Sequence, residues 1–274
     1  MDRPDLDRYA ARIAYDGDFR PSIGTLRALH RLHPQAIAFE NLSPLAGDVP
    51  ALDLPALERK LLGVRRGGWC FEHNLLFAAV LREAGFAVTG LAARVLWNNR
   101  PQAEAARSHM LLQVAVQGET WLADVGFGGL SLTAPLRMVV DVVQETPHES
   151  FVLRRDGGDY VLFADLPEAE APLYRFDLTP QQPIDYAYAN WYLATHPSSH
   201  FLKNLFAARS VEGGRHALVN GEYSWRPTGS APQRQQVDSV EALRALLESA
   251  LGVPLPPDGA VDARLAPLLH NVRR

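Results

Sequence analysis

The sequence has only one cysteine, Cys70, among its 274 residues. A single cysteine cannot form a disulfide within the chain or supply the several thiolates of a structural zinc site. The thiol is therefore free, which favours a reducing compartment, and we expect the protein in the cytoplasm. Because a lone cysteine is usually a small buried hydrophobic residue, a functional interpretation needs support from the residues around it.

Lysine, excess charge and long apolar runs are also scarce. Lys60 and Lys203 are the only lysines, and the formal net charge is -4. This composition offers no basic surface for nucleic acid. No apolar stretch approaches the roughly 18 residues of a membrane span, and the N-terminus is charged. We therefore expect neither a nucleic-acid nor a membrane partner, and the oligomeric state stays open.

Two histidines, His30 and His33, lie on a helix predicted from Ile23 to His33, which Pro34 should end. A metal-binding pair on a helix is usually spaced four residues apart, and no third ligand lies nearby in the sequence. We therefore predict no metal site.

The spacing of apolar residues divides the chain into three parts. Residues 1–85 have helical spacing, which predicts a helical bundle. Residues 86–182 contain short β-type runs separated by turn residues, which predicts a small antiparallel barrel. Residues 183–274 begin with a predicted linking helix and continue with strands and a further helix. The predicted fold class is therefore α+β.

Cys70 stands at the start of the most apolar predicted helix, which should stop at Gly85. Gly67 and Gly68 come just before it and have no side chains, so that backbone or substrate can approach closely. The first amides of a helix have no partner within the helix, and their partial positive charge favours a thiolate. Cys70 is therefore a candidate nucleophile.

A histidine and an aspartate lie in a predicted hairpin formed by Met110–Val116 and Thr120–Val125. His109 opens the first strand and Asp124 closes the second, so the two side chains should be neighbours. A carboxylate beside an imidazole fixes its tautomer and stabilises its charged form, as a Cys–His pair requires. Taken without Cys70, this pair could equally be a buried histidine and a turn former.

Cysteine, histidine and aspartate in this order are the layout of the papain-like thiol enzymes. Six motifs narrow the choice: R-G-G-W-C-F-E-H-N at 66–74, F-E-N-L at 39–42, S-H-M at 108–110, D-V-G-F-G-G at 124–129, Q-x-T-P-H at 144–148 and T-H-P-S-S-H-F at 195–201. Together they resemble the arylamine N-acetyltransferases in their prokaryotic form, over about residues 9–252. The departures are mild: Ala38 stands where proline is common, Ser43 where aspartate is frequent, and Ser108 where threonine often precedes the histidine.

The resemblance implies a papain-like core with an N-terminal helical bundle, an antiparallel β-barrel and a C-terminal α/β lid. It implies ping-pong acetyl transfer through an acetylated Cys70, with acetyl-CoA as co-substrate and no metal. His109 would move the protons, and Asp124 would orient His109. The expected partner is a small arylamine, arylhydrazine or arylhydroxylamine. The implied role is xenobiotic metabolism, with a biosynthetic acylation step left open.

The resemblance also suggests residues around the triad. The candidate substrate contacts are Phe39, Phe127, Gly128, Phe201 and Ser108. The phenylalanines would form apolar walls for an aryl ring, although core packing explains each of them equally well. In the family, the glutamate of F-E-N-L pairs with the arginine before Gly-Gly. We therefore predict an ion pair between Glu40 and Arg66 that supports the catalytic turn, and the amide of Cys70 is a candidate oxyanion donor.

Two alternatives stay open at this point. A thiol protease or transglutaminase-like enzyme would carry the same triad, although papain-type enzymes surround their cysteine with C-G-S-C-W. In a non-catalytic binding module, Cys70 would be an inert buried thiol. Iodoacetamide distinguishes the second alternative, because only an activated thiolate reacts near neutral pH.

Overall fold

The structure is a computed structural model that describes residues 3–98, 105–167, 169–255, 259 and 261–269. Most of the polar loop predicted between Asn98 and Arg107 lies outside the described residues. No helix in the described ranges is long and apolar enough to cross a membrane.

The N-terminal part of the chain is helical. Its helices are α1 (Leu6–Ile13), α2 (Ile23–Ala36), α3 (Leu42–Ala46), α4 (Leu54–Leu57), followed by a π-helical turn (Glu58–Gly63), and α5 (Cys70–Glu83). Asp5, Ser22 and Asp53 cap α1, α2 and α4, because each side chain accepts a hydrogen bond from an amide of the first turn. Helix α5 is apolar on nearly every face, and most of its side chains are buried. It lies at the centre of the largest apolar core, as predicted.

Pro34 does not end α2, so the predicted boundary is wrong. The helix continues to Ala36 with the proline inside its last turn. Proline removes one amide donor and disfavours the helical conformation of the residue before it. Here the buried face of α2, which includes Leu26, Leu29 and Pro34 itself, outweighs that local preference. His33 is therefore held in a regular, buried helical position.

The middle of the chain forms an antiparallel sheet. Its strands are β2 (Ala87–Val95), β3 (Arg107–Val116), β4 (Glu119–Ala123), β5 (Leu136–Arg137), β6 (Val143–Glu145), β7 (Ser150–Asp156), β8 (Asp159–Asp165) and β9 (Glu170–Phe176). They lie in the order β5-β4-β3-β2-β9-β8-β7-β6. The side chain of Gln144 links the two edge strands: it accepts a hydrogen bond from the Arg137 amide at 2.7 Å and donates one to the Arg137 carbonyl at 3.0 Å. The sheet is therefore a nearly closed barrel.

The C-terminal part combines helices with a second antiparallel sheet. It contains α6 (Pro183–Thr195), β10 (Phe206–Val211), β11 (Gly214–Val219), β12 (Glu222–Pro227), β13 (Gln233–Gln236), α7 (Val240–Ser249) and α8 (Asp262–Leu265). An edge strand of this sheet, β1 (Phe39–Glu40), comes from the N-terminal part, with Phe39 opposite Ala208. The architecture agrees with the predicted α+β class, while the divisions after residues 85 and 182 stay predictions.

Candidate active site

Three elements bring Cys70, His109 and Asp124 together. Cys70 is the first residue of α5, His109 lies near the start of β3, and Asp124 follows the last residue of β4. Strands β3 and β4 pair as the predicted hairpin, with Leu112 opposite Ala123. Nε2 of His109 lies 2.7 Å from Oδ2 of Asp124, and both side chains are buried. The Cys70 side chain interacts with the same imidazole through a side-chain hydrogen bond.

The charges of this trio favour an imidazolium. Burial by itself would lower the pKa of His109, but the Asp124 carboxylate and Cys70 outweigh burial and raise the pKa of His109 to about 10. Burial would likewise raise the pKa of Asp124, yet His109, Asn74 and the Gly126 amide lower it. At neutral pH His109 is therefore charged and paired with the Asp124 carboxylate.

Asp124 is fixed by further hydrogen bonds. Its Oδ1 accepts from Nδ2 of Asn74 and from the amide of Gly126, both at 3.0 Å. Asn74 also donates to the Met110 carbonyl at 2.8 Å and so joins α5 to β3. This role of Asn74 was not predicted from the sequence. Its position one helical turn after Cys70, on the same face of α5, is the signal that could have identified it.

The turn before Cys70 is held against β1. The Glu40 amide donates to the Gly68 carbonyl at 2.8 Å, and the Gly68 amide donates to the Ala38 carbonyl at 3.2 Å. A side chain at Gly67 would collide with the Ala38 carbonyl and with Glu40. The close approach of the two backbones therefore requires glycine at this position.

The predicted Glu40–Arg66 ion pair forms across this turn. Nη2 and Nε of Arg66 lie 2.7 and 3.0 Å from Oε1 of Glu40, and Oε2 accepts from the Leu42 amide at 2.7 Å. Burial favours the neutral carboxyl, but Lys60 and Arg66 outweigh it and lower the pKa of Glu40. The carboxylate is thus a charged, fully paired group inside the protein.

Lys60 supports a second buried carboxylate, which sequence reasoning missed. Its Nζ lies 2.7 Å from Oε1 of Glu72, and Oε2 accepts from the Trp69 amide at 3.1 Å. Burial of Glu72 prevails over these contacts and raises its pKa. The spacing of Trp69 and Glu72 fits a helix cap, which was the available signal.

Aromatic rings cover the imidazole. Phe127 stands edge-on to His109 with ring centroids 5.2 Å apart, and the ring of Tyr174 lies 5.1 Å from His109. The Ser108 carbonyl accepts a hydrogen bond from the Cys70 thiol at 3.8 Å. Phe127 and Ser108 thus lie in the site, whereas Tyr174 was not anticipated.

The remaining predicted contact residues form a neighbouring group. The rings of Phe39 and Phe201 lie 6.5 Å apart, and Phe201 also packs edge-on against Trp69. Gly128 has φ +92°, and a Cβ atom at this position would meet the ring of Phe39 at van der Waals distance. All five candidate contacts are therefore near the turn or the imidazole, and substrate binding by them stays a prediction.

Within the described ranges, no group of three or more His, Cys, Asp and Glu side chains is arranged to hold a metal ion. His30 and His33, considered above as a metal pair, instead bond to protein groups. Nε2 of His30 accepts from the Asp124 amide at 3.1 Å. His33 contacts Tyr9 and His73.

This fold, with Cys70, His109 and Asp124 brought together at the start of α5, is that of the papain-like class. A sequence profile described as N-acetyltransferase matches residues 22–260. The arylamine N-acetyltransferase of Escherichia coli (strain K12) is 42% identical over 91% of this chain and 89% of its own length. That of Mycolicibacterium smegmatis is 40% identical over 97% and 99%. The Mycobacterium marinum arylamine N-acetyltransferase in complex with CoA superposes with a TM-score of 0.92 at 36% identity, covering 96% of this chain and 99% of that one.

The chain therefore belongs to the arylamine N-acetyltransferase family, and it is an acyltransferase. The resemblance predicted from the motifs is confirmed, as are the α+β class and the papain-like core.

Proposed function

We propose that the protein transfers the acetyl group of acetyl-CoA to arylamines, arylhydrazines and arylhydroxylamines by a ping-pong mechanism through an acetylated Cys70. The observation that carries this proposal is the buried contact series of Cys70, His109 and Asp124 at the start of α5. The raised pKa of His109 supports a thiolate–imidazolium pair, which is the reactive form of such a site.

In the first half-reaction, the Cys70 thiolate attacks the thioester carbonyl carbon of acetyl-CoA. The carbon–sulfur bond to CoA breaks, and the departing CoA thiolate takes a proton from His109. Exchange between two thioesters conserves the reactivity of the acyl group. The amide of Cys70, at the first position of α5, has no intrahelical partner and would donate to the oxyanion. The Gly126 amide is already engaged with Asp124 and does not serve this purpose.

In the second half-reaction, the acceptor nitrogen attacks the acetyl carbon and the bond to Cys70 breaks. His109, now neutral, takes the proton of the nitrogen, and the thiolate returns. Acetylation of Cys70 removes one of the two groups that raise the pKa of His109, which favours this neutral form. The same imidazole can therefore act first as an acid and then as a base, while Asp124 holds its orientation.

The binding assignments follow from the rings around the thiol. Phe127 covers the imidazole, while Phe39 and Phe201 lie beside the turn, so these apolar surfaces are suited to an aryl group. Ser108 and Gly128 complete the proposed walls. CoA binding is supported by the complex of the Mycobacterium marinum relative.

The need for a reduced thiol places this chemistry in a reducing compartment, and we assign it to the cytoplasm. Acetylation of aromatic amines would serve xenobiotic metabolism. The alternative of a protease or transglutaminase-like enzyme has no support from the relatives described above, which are named as acetyltransferases.

The proposal is tested by initial rates measured with acetyl-CoA and an aromatic hydrazine, each varied at several fixed concentrations of the other. A ping-pong mechanism gives parallel double-reciprocal lines, and Cys70→Ala should have no measurable rate. Intersecting lines would show that both substrates bind before the transfer, which contradicts an acetyl-enzyme. Activity of Cys70→Ala would exclude the thiol as nucleophile.

A further inference from the structure

Three buried side chains form a continuous series of hydrogen bonds behind the active site. The Tyr9 hydroxyl lies 2.8 Å from Nδ1 of His33, and Nε2 of His33 lies 3.0 Å from Nδ1 of His73. Nε2 of His73 lies 3.0 Å from the Ala38 carbonyl oxygen. The series starts on α1, passes through α2 and α5, and ends at the residue before β1.

The direction of every hydrogen bond in this series is determined by its last member. A carbonyl oxygen only accepts, so Nε2 of His73 must donate to Ala38, and Nδ1 of neutral His73 must accept. Nε2 of His33 therefore donates to His73, and Nδ1 of His33 accepts from the Tyr9 hydroxyl. Each neutral imidazole donates once and accepts once, so all its polar atoms are satisfied.

Burial keeps the series in this neutral form. Tyr9, His33 and His73 are almost completely inaccessible to solvent. Burial lowers the pKa of His73 to about 4 and holds that of His33 well below its usual value, and His73 also opposes charge on His33. Burial also raises the pKa of Tyr9. The directions of the hydrogen bonds are thus retained at neutral pH.

The series ends at the backbone that sets the position of Cys70. The Ala38 carbonyl accepts from His73 and also from the Gly68 amide at 3.2 Å. Gly68 pairs in turn with β1 and lies two residues before Cys70. His73 is three residues after Cys70 in the same helix, so the series connects both flanks of the thiol.

We propose that Tyr9, His33 and His73 are positioning residues, whose one-directional hydrogen bonds hold the Gly68 turn and thereby place the Cys70 thiol against His109. This inference rests on the part of the proposed function that makes Cys70 a reactive thiol. It assigns to the buried histidines a role in the reactivity of the thiol, beyond their role in packing α1 and α2 on α5.

The test uses His73→Leu and His73→Gln, with the second-order rate of Cys70 alkylation by iodoacetamide measured from pH 5 to 9. Leucine removes both hydrogen bonds, and we expect the rate at pH 7 to fall about tenfold, because small displacements at a reactive group have large effects. Glutamine retains one acceptor and one donor, so His73→Gln should recover most of the rate. Thermal stability is measured alongside for each variant.

Two further variants make the experiment decisive. Tyr9→Phe removes one hydroxyl and should slow alkylation about threefold, less than His73→Leu does, because it removes a single hydrogen bond at the far end of the series. His216→Leu breaks a similar 2.8 Å contact, with Tyr223 on the C-terminal sheet, and should leave the rate unchanged.

The proposal is overturned if His73→Leu is less stable but alkylates as the wild type does, or if His73→Gln is as slow as His73→Leu. If His73→Leu does not fold, an unchanged rate in Tyr9→Phe overturns it. Alkylation needs no acetyl-CoA. A wild type that alkylates readily but transfers no acetyl group would therefore contradict the proposed function and leave this inference intact.

Discussion

Replacement of Arg66 by methionine tests how the turn before Cys70 is held. Arg66→Met removes both hydrogen bonds to Oε1 of Glu40 and leaves a carboxylate with a side-chain exposure of 0%. Loss of one partner of a buried ion pair typically costs about 3–5 kcal/mol of unfolding free energy. Arg66 is itself only 16% exposed, so solvent screens the pair little. Lys60 still lowers the pKa of Glu40, so we expect a loss at the lower end of that range, about 3 kcal/mol of unfolding free energy.

The pH dependence of this loss has a definite sign. In the wild type the pKa of Glu40 is lowered, so its contribution to stability is present above the unfolded value of about 4.3 and disappears as the pH falls through the folded pKa. Without Arg66, burial favours the neutral carboxyl. The difference in unfolding free energy between Arg66→Met and the wild type should therefore become smaller as the pH falls from 7 to 4.

The assay is urea unfolding at pH 7 and pH 4, together with the rate of acetyl transfer at pH 7. Arg154→Met is the matched control, because its ion pair with Glu170 is exposed and should contribute less than about 1 kcal/mol. If Arg66→Met loses less than about 1 kcal/mol of unfolding free energy at both pH values and keeps full activity, the ion pair does not hold the turn before Cys70.

Three other results are expected. Asn74→Leu removes one hydrogen bond to Asp124 and leaves the Met110 carbonyl without its donor. Urea unfolding should therefore show a loss of about 1–3 kcal/mol of unfolding free energy, and acetyl transfer should slow. An unchanged transfer rate would contradict the link between Asn74 and the triad. His30→Leu leaves the Asp124 amide unpaired and should also lower the unfolding free energy by about 1–3 kcal/mol. A loss no larger than that of His216→Leu would argue against a supporting role for the bond between His30 and the Asp124 amide. Because the pKa of His109 is raised to about 10, its contribution to stability is full below about pH 6.5 and is lost as the pH rises through 10. The unfolding free energy of His109→Gln should therefore vary less with pH over that range than that of the wild type. Equal pH dependence in the two proteins would contradict the His109–Asp124 pair.

The triad could be predicted from the sequence because its geometry is largely local. A helix start places Cys70, and the pairing of two adjacent strands brings His109 beside Asp124. The Glu40–Arg66 pair was predicted through the family resemblance, since nothing local in the sequence connects residues 26 positions apart. Roles of residues in binding and catalysis go beyond this geometry and stay proposals.

Other features depend on tertiary packing and could not be derived from local patterns. Pro34 was expected to end α2, but the buried face of that helix outweighs the local effect of proline. The contacts among Tyr9, His33 and His73 require three helices to pack in one arrangement, and spacing along the chain gives no indication of them. The closure of the barrel edge by Gln144 also depends on tertiary structure, because it requires the sheet to curl far enough for its two edge strands to meet.

The central claim is that Cys70 carries the acetyl group. Its most direct test is intact mass spectrometry of the protein mixed with acetyl-CoA alone, beside Cys70→Ala, followed by addition of an aromatic hydrazine. The account predicts that the wild type alone gains one acetyl group and then loses it to the hydrazine. A wild type that gains no acetyl group while acetylated hydrazine still forms, or a Cys70→Ala protein that gains one equally, would contradict transfer through this thiol.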